Sequence, residues 1–148
     1  MKPLGPIPPG YDAVHGELAI AGQTSWKSEV AAGTPLFVYS AELIRRRVAT
    51  LRDAMPSILK IHYAVKANPY RPVLELMAGS TDGFDVASGG ELGMALAAGQ
   101  DAARISFAGP GKRDAELELA IRHGVTLNLE SAAEARRALG IAEGLGVT

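Results

Sequence analysis

The stretch HYAVKANP, which runs from His62 to Pro69, ends a short β-branched and aromatic segment on Lys66. Residues of these kinds favour a strand, and Asn68 followed by a proline favours a turn. A lysine at the end of a strand is either an ordinary surface residue or an amine held in a pocket for Schiff-base chemistry. The rest of the sequence decides between these two interpretations.

The composition is that of an ordinary globular protein, and it excludes several classes of function. The 148 residues are 47% hydrophobic and 21% charged, which is enough for one domain with a real core. The net charge of -1 gives no basic footprint for nucleic acid, and no segment approaches the roughly 18 apolar residues of a membrane span. The absence of cysteine excludes disulfides and thiolate catalysis, and the histidines do not cluster as metal ligands would. We therefore expect a cytoplasmic protein without a metal, a nucleic-acid partner or a membrane partner.

From Pro35 onward, apolar runs alternate with segments of helical periodicity. The apolar runs predict strands at residues 36–39, 58–65, 83–86, 104–107 and 126–129. Four strand centres follow one another at intervals of 22 residues: His62, Phe84, Ser106 and Asn128. This alternation is typical of βα units on a parallel sheet, of which eight form a closed barrel of about 250 residues. The chain holds about four units, so the predicted fold class is α/β, the N-terminal half of a (β/α)8 TIM-type barrel.

Sequence signals for helices support this alternation of strands and helices. Residues 41–55 carry an apolar stripe at Ile44, Val48, Leu51 and Met55, which predicts an amphipathic helix. Ser88 and Ser131 are each followed three residues later by a glutamate, the pattern of a helix-capping box. We predict an N-terminal arm within residues 1–34 and the partial barrel in residues 35–148.

Lys66 acquires a possible role from its place on the predicted sheet. Parallel-sheet enzymes carry their chemistry at the carboxyl ends of the strands, where Lys66 and Asp85 both lie. His62, Ala64 and Lys66 share one face of a strand. If that face lines the barrel, Lys66 lies at the rim of a closed and mostly apolar cavity. Desolvation there would favour the neutral amine that an aldehyde cofactor requires.

Four ordered segments resemble a known family, the fold-type III pyridoxal-phosphate decarboxylases, which include diaminopimelate and ornithine decarboxylases. The segments are residues 63–68, 83–92, 105–112 and 128–131, and the resemblance extends from about Gly16 to the last residue. The sequence of residues 106–112, SFAGPGK, most resembles that of a diaminopimelate-decarboxylase-like branch of the family. Some members of that branch are associated with exopolysaccharide and exosortase systems.

The resemblance implies an activity and a set of site residues. It implies that Lys66 forms a Schiff base with pyridoxal 5′-phosphate during decarboxylation of a diaminopimelate-like amino acid, as in lysine biosynthesis. The implied cofactor-binding residues are Lys66, Ala64, Asn68, Asp85 and Glu91. The strand at residues 16–21 would belong to a C-terminal β-domain of the full-length protein, which would be a homodimer.

Several of these residues also have a plainer interpretation. Glu91 completes a capping box, so a structural role and a functional one are equally compatible with it. Asp85 at the end of a strand needs a partner; we favour function over a simple backbone or arginine contact. Lys112, in the segment GPGK, could imitate a phosphate-binding loop, but the full spacing is missing, so a βα turn is favoured. His62 is interpreted as a packed core histidine.

Two other functions remain open on the sequence alone. The first is an alanine racemase, whose lysine motif is similar, although the pair Phe84-Asp85 and the GPGK segment argue against it. The second is a non-catalytic cofactor carrier or a degenerate remnant. The family's phosphate loop and its remaining cofactor-binding residues have no counterpart up to Thr148. We therefore expect the chain to be a fragment, a truncated gene product or a partial gene model.

Overall fold

A three-stranded antiparallel sheet forms the centre of the first unit, residues 1–53, of the two units into which the chain divides. The structure is a computed structural model that describes residues 6–7 and 10–147, so most of the predicted arm lies outside the described residues. Its strands are β1 (Asp12–Val14), β2 (Glu17–Ile20) and β3 (Gln23–Thr24). The predicted strand at residues 16–21 is therefore confirmed as β2. Its membership of a β-domain stays a prediction, as does the boundary at residues 34 and 35.

Both hairpins of this sheet use the same two-residue turn chemistry. His15-Gly16 joins β1 to β2, Ala21-Gly22 joins β2 to β3, and all four residues have positive φ angles. Two consecutive positive φ angles define the turn whose twist matches that of the flanking strands. Each turn places a glycine second, and this residue adopts such a conformation without strain.

Two helices complete the first unit: α1 (Ser25–Ala32) and α2 (Ala41–Ala54). The predicted helix at residues 41–55 is confirmed, but its predicted stripe is only partly buried: Val48 is buried and Leu51 is 43% exposed. The strand predicted at residues 36–39 is wrong, because the structure has no strand there and all four side chains are exposed. A strand exists only where a neighbouring strand pairs with it, and a sequence pattern cannot supply that neighbour.

The second unit, residues 54–148, is built on a four-stranded parallel sheet in the order β4-β5-β6-β7. The strands and the helices that follow them are β4 (His62–Ala64), α3 (Arg71–Ala78), β5 (Gly83–Val86), α4 (Gly89–Ala97), β6 (Ile105–Phe107), α5 (Asp114–His123), β7 (Thr126–Leu127) and α6 (Ala132–Leu145). The predicted α/β class with four βα units is confirmed.

The strand bounds follow from the register of the ladder. Tyr63 pairs with Phe84, and Phe84 in turn pairs with Ile105. The β5 prediction was correct to the residue, whereas residues 58–65 and 126–129 shrink to β4 and β7. Ile58 lies outside the ladder at 82% exposure, in a turn that the Leu59 amide closes by donating to the Pro56 carbonyl at 3.0 Å.

The two faces of this sheet differ sharply in burial. Phe84, Val86 and Phe107 are completely buried on the face that the helices cover. The alternate residues Ala64, Asp85 and Ser106 are half-buried and form the opposite face, which we call the open face. The described sheet has four strands, so the closed cavity that a complete barrel would form around Lys66 stays a prediction.

Close packing of the strands at the amino ends depends on one glycine. A Cβ atom added at Gly83 would collide with the backbone carbonyl of Arg104 and would press against the His62 ring. Backbone cannot move aside as a flexible side chain can, so β5 and β6 approach this closely only with glycine at that position.

Candidate functional site

Lys66 lies in a tight turn at the carboxyl end of β4. Val65, Lys66 and Ala67 form a single 3-10 turn, closed by the Asn68 amide, which donates to the Val65 carbonyl at 3.2 Å. Val65 is completely buried and anchors the turn against β5 and α4, while Lys66 is exposed. Within residues 6–7 and 10–147 the Lys66 ammonium makes no hydrogen bond and no ion pair. The predicted position is confirmed. The desolvation of the amine, which was predicted for a closed barrel, stays a prediction, since the described sheet has four strands.

Asn68 holds the shape of this turn. Its Oδ1 accepts a hydrogen bond from the Tyr70 amide at 3.0 Å, and its carbonyl accepts one from the Tyr63 hydroxyl at 3.2 Å. The expected turn chemistry of Asn68-Pro69 is therefore confirmed. A cofactor contact by Asn68 stays a prediction, as it does for Ala64, which lies on the open face.

Asp85 is the charged member of the open face. The register places it between Ala64 on β4 and Ser106 on β6. Its carboxylate is half-buried, and among the described residues it makes neither a hydrogen bond nor an ion pair. The plain alternative, a backbone or arginine contact, is therefore not found. A half-buried carboxylate without a partner is costly, so this arrangement favours an external partner for Asp85.

Glu91 and Ser88 fix the beginning of α4. The Ser88 hydroxyl accepts a hydrogen bond from the Glu91 amide at 3.2 Å, and Glu91 Oε2 accepts one from the Ala87 amide at 2.9 Å. The serine half of the predicted box is confirmed, and the glutamate reaches one residue farther back than the standard motif. This contact confirms the structural role of Glu91; a contact with a cofactor stays a prediction.

Glu116 connects two neighbouring turns and was missed in the sequence. Its Oε1 accepts from the Gly89 amide at 2.7 Å, and its Oε2 accepts from the Arg113 amide at 3.0 Å. These backbone hydrogen bonds, with the Arg113 one contributing most, lower the pKa of the Glu116 carboxyl to about 2. Glu116 therefore ties the turn before α4 to the turn before α5.

Lys112 is buried, in contrast to Lys66. Its ammonium donates to the carbonyls of Gly109 at 2.7 Å and Asn128 at 2.8 Å, and to Glu134 Oε1 at 3.1 Å. It also lies 5.6 Å from the centre of the Phe107 ring. An ammonium has three donors, and all three are used. The interpretation as a βα turn is confirmed, and no donor remains for a phosphate.

Glu134 completes this buried arrangement at the start of α6. Its Oε2 accepts from the Glu130 amide at 2.8 Å, and this bond, followed by the contact with Lys112, lowers the pKa of the carboxyl. The Ser131 hydroxyl accepts from the Glu134 amide at 3.1 Å, as its capping pattern predicted. Lys112 and Glu134 are separated by 22 residues, the interval between successive strand centres, and this spacing could have revealed the pair.

The amino ends of the strands carry a separate polar cluster. Lys60, His62, Asp82 and Arg104 line a cavity of about 310 Å³. His62 is exposed there, so its interpretation as a packed core residue is wrong. In the described part of the chain, no group of three or more His, Asp or Glu side chains could hold a metal ion. Nor do the described helices include one long and apolar enough to cross a bilayer.

The fold and this site define a class of protein, a partial (β/α) barrel with an exposed lysine at the carboxyl ends of its strands. The family model described as pyridoxal-dependent decarboxylase, pyridoxal binding domain, matches residues 41–144. The chain belongs to this family. The match supports a decarboxylase over the racemase alternative, while the exosortase-associated branch stays a prediction.

Individual relatives agree with the family match. The chain is 42% identical over 120 residues to a diaminopimelate decarboxylase of Neisseria meningitidis, covering 80% of this chain and 30% of the relative. A crystal structure of an Aquifex aeolicus protein superimposes with a TM-score of 0.87 at 39% identity, over 93% of this chain and 34% of that one. Diaminopimelate decarboxylase from Helicobacter pylori, complexed with L-lysine, gives a TM-score of 0.77 at 31% identity, over 84% and 32%. The chain thus spans about a third of the length of these relatives.

The residues of the site fit the cofactor that the family name implies. An aldehyde needs an accessible amine, and Lys66 is exposed and has no bond to another described residue. The open face offers a small side chain, Ala64, and an unpartnered carboxylate, Asp85, beside it. Lys112 does not fit, because its amine is buried and fully bonded.

Proposed function

We propose that this chain contributes the pyridoxal-phosphate-binding lysine, Lys66, to decarboxylation of an amino acid that resembles diaminopimelate. One observation carries the proposal: Lys66 presents an amine without an internal partner at the carboxyl end of β4, one strand from the unpartnered carboxylate of Asp85. The diaminopimelate decarboxylases among its relatives support the substrate class.

The residues of this chain divide the work of the site between them. Pyridoxal phosphate, when bound, supplies an electron sink for the charge left as carbon dioxide departs. Lys66 supplies the amine that holds the cofactor aldehyde, and buried Val65 fixes the turn that aims it. Asp85 supplies a negative charge that stabilises a cationic group over the open face. Ala64 leaves room for a ring, and Asn68 keeps the turn closed.

The assembly of the whole protein belongs to the same proposal. The resemblance to the family supports a homodimer, and the composition supports a cytoplasmic location. Size-exclusion chromatography with light scattering on a chain extended to the length of its relatives would measure the oligomeric state directly.

Covalent trapping tests the role of Lys66. We expect that incubation with pyridoxal phosphate followed by borohydride reduction adds one pyridoxyl group to the peptide that contains Lys66, as measured by mass spectrometry. Lys66→Ala should remove this label, because the Lys66 amine is the group of the turn that reacts with the cofactor aldehyde.

Lys60→Ala provides the matched control, because Lys60 is another exposed lysine and lies near the amino ends of the strands, away from Lys66. This variant should keep the label on Lys66. Label spread evenly over Lys27, Lys60 and Lys66 would mean surface modification, and it would contradict the proposal.

A further inference from the structure

A chain of hydrogen bonds runs from the buried Lys112 to the open face of the sheet. The Lys112 ammonium holds the Asn128 carbonyl at 2.8 Å, and the Asn128 side-chain amide donates to the Ser106 hydroxyl oxygen at 2.6 Å. Ser106 pairs in register with Asp85. The buried charge is therefore two hydrogen bonds away from the face that carries the proposed site.

The direction of these bonds leaves one donor available. A hydroxyl has one hydrogen to donate and two lone pairs to accept with. Asn128 donates to the Ser106 oxygen, and in the described part of the chain the Ser106 hydrogen has no acceptor. A hydroxyl that accepts a hydrogen bond is also a stronger donor, because bonds in a chain polarise one another.

We propose that Lys112 is a positioning residue for the open face: it holds the carboxyl end of β7 so that Asn128 orients the Ser106 hydroxyl toward a bound ligand. The ligand group is a hydrogen-bond acceptor, a carboxylate or a phenolate-like oxygen. This inference rests on the proposed function only for the identity of the ligand. The positioning of Asn128 is a property of the chain alone.

The burial of Lys112 is what makes it suited to this role. Its side chain is 1% exposed and that of Glu134 is 3% exposed, so neither can exchange its partner for water without local opening. Arg137 adds a second tie, because it donates to the Lys112 carbonyl at 2.9 Å and to Asp114 at 2.6 Å. These contacts join α5, α6 and the end of β7 into one fixed support.

The test must separate positioning from stability, since Lys112→Met leaves the Glu134 carboxylate buried without its ammonium and can unfold the chain. The double variant Lys112→Met with Glu134→Gln removes both charges and keeps an acceptor for the Glu130 amide. Ser106→Ala removes only the hydroxyl. Arg122→Ala is the control, because it breaks an exposed ion pair with Glu118 on α5.

Two measurements are made on each variant: nuclear magnetic resonance of the Asn128 side-chain amide, and the dissociation constant for pyridoxal phosphate. We expect the double variant to remain folded, as cooperative unfolding would show. Its Asn128 side-chain amide hydrogens should nevertheless exchange faster with solvent than those of the wild type. The double variant and Ser106→Ala should each bind pyridoxal phosphate about tenfold more weakly, the size of one hydrogen bond. Arg122→Ala should match the wild type in both measurements.

The result that overturns the inference is a folded double variant with wild-type exchange at Asn128, or wild-type affinity in both that variant and Ser106→Ala. If the wild type takes up no pyridoxal phosphate at Lys66, the proposed function fails by itself. The Asn128 measurement needs no cofactor, so it still decides whether Lys112 positions this face.

Discussion

Lys66 and Lys112 both follow strands of one parallel sheet. The Lys66 amine, in the turn after β4, is exposed to solvent, whereas the Lys112 amine, in the turn after β6, is buried. Lys112 spends all three donors on Gly109, Asn128 and Glu134. Lys66 has no such partner among the described residues. The same residue type is therefore a structural cross-link in one turn and an exposed amine in the other. Burial and bonding, rather than residue identity, separate the two roles.

The difference extends to the turns themselves. At the starts of α4, α5 and α6, the carboxylates of Glu91, Glu116 and Glu134 each accept a hydrogen bond from a nearby backbone amide. Glu116 also accepts one from the Gly89 amide at the start of α4, which connects two of these turns. The β4 turn relies instead on the buried Val65 and on the local hydrogen bond that Asn68 accepts from the Tyr70 amide. We interpret this difference as a fixed support and a less constrained amine on one sheet, which suits the proposed role of Lys66, because a functional group depends on supporting residues that are locked in place.

The largest expected contrast between the two turns is in chemical reactivity. Reductive methylation of the folded chain at pH 8 should modify Lys66 readily. Lys112 should react on the order of a hundredfold more slowly, because its amine must first be exposed by local opening. Peptide mass spectrometry over a time course measures both rates in one sample. Equal rates in the folded chain would mean that the Lys112 turn is open in solution, and adding urea should abolish the contrast.

How much of this contrast is visible in the sequence depends on which interactions are local. The strand at residues 83–86 was predicted to the residue because a repeated interval and a continuous apolar run agree there. The caps at Ser88 and Ser131 were predicted because a cap involves residues only three apart.

The rest depends on contacts between distant residues. Residues 36–39 have the composition of a strand but form no strand, and the register of the parallel sheet set the ends of β4 and β7. The Lys112–Glu134 pair forms across one complete βα repeat, so it exists only once β6 and β7 are adjacent. Only the interval of 22 residues was visible beforehand.

Acid sensitivity sharpens the comparison, because Glu116 belongs to the connected turns. The folded-state pKa of Glu116 lies near 2, below its ordinary value of 4.5. A carboxyl whose pKa is lowered by folding contributes stability that is complete above pH 4.5 and is lost as the pH falls toward 2. We expect Glu116→Gln to reduce the free energy of unfolding at pH 7 and to flatten its decline between these two pH values, as measured by urea titration at each pH.

Glu118→Gln is the matched control for this prediction. Glu118 lies on the same helix and pairs with Arg122 in an exposed ion pair, which contributes little to stability. Its acid profile should follow that of the wild type. If Glu116→Gln kept the wild-type profile as well, the hydrogen bonds from Gly89 and Arg113 would not be the source of the acid sensitivity.

The smallest expected effect is the change in the free energy of unfolding when a single hydrogen bond is removed from each kind of turn. Ser131→Ala removes the N-cap of α6 and should lower the free energy of unfolding by about 1 kcal/mol. Ser88→Ala, the same change at α4, should cost a similar amount. Asn68→Ala removes an exposed bond to the Tyr70 amide and should change stability by less than about 0.5 kcal/mol. Urea unfolding at pH 7 measures all three. A loss at Asn68 as large as that at Ser131 would show that the β4 turn is held as firmly as the others, and the distinction between a fixed support and a less constrained amine would fail.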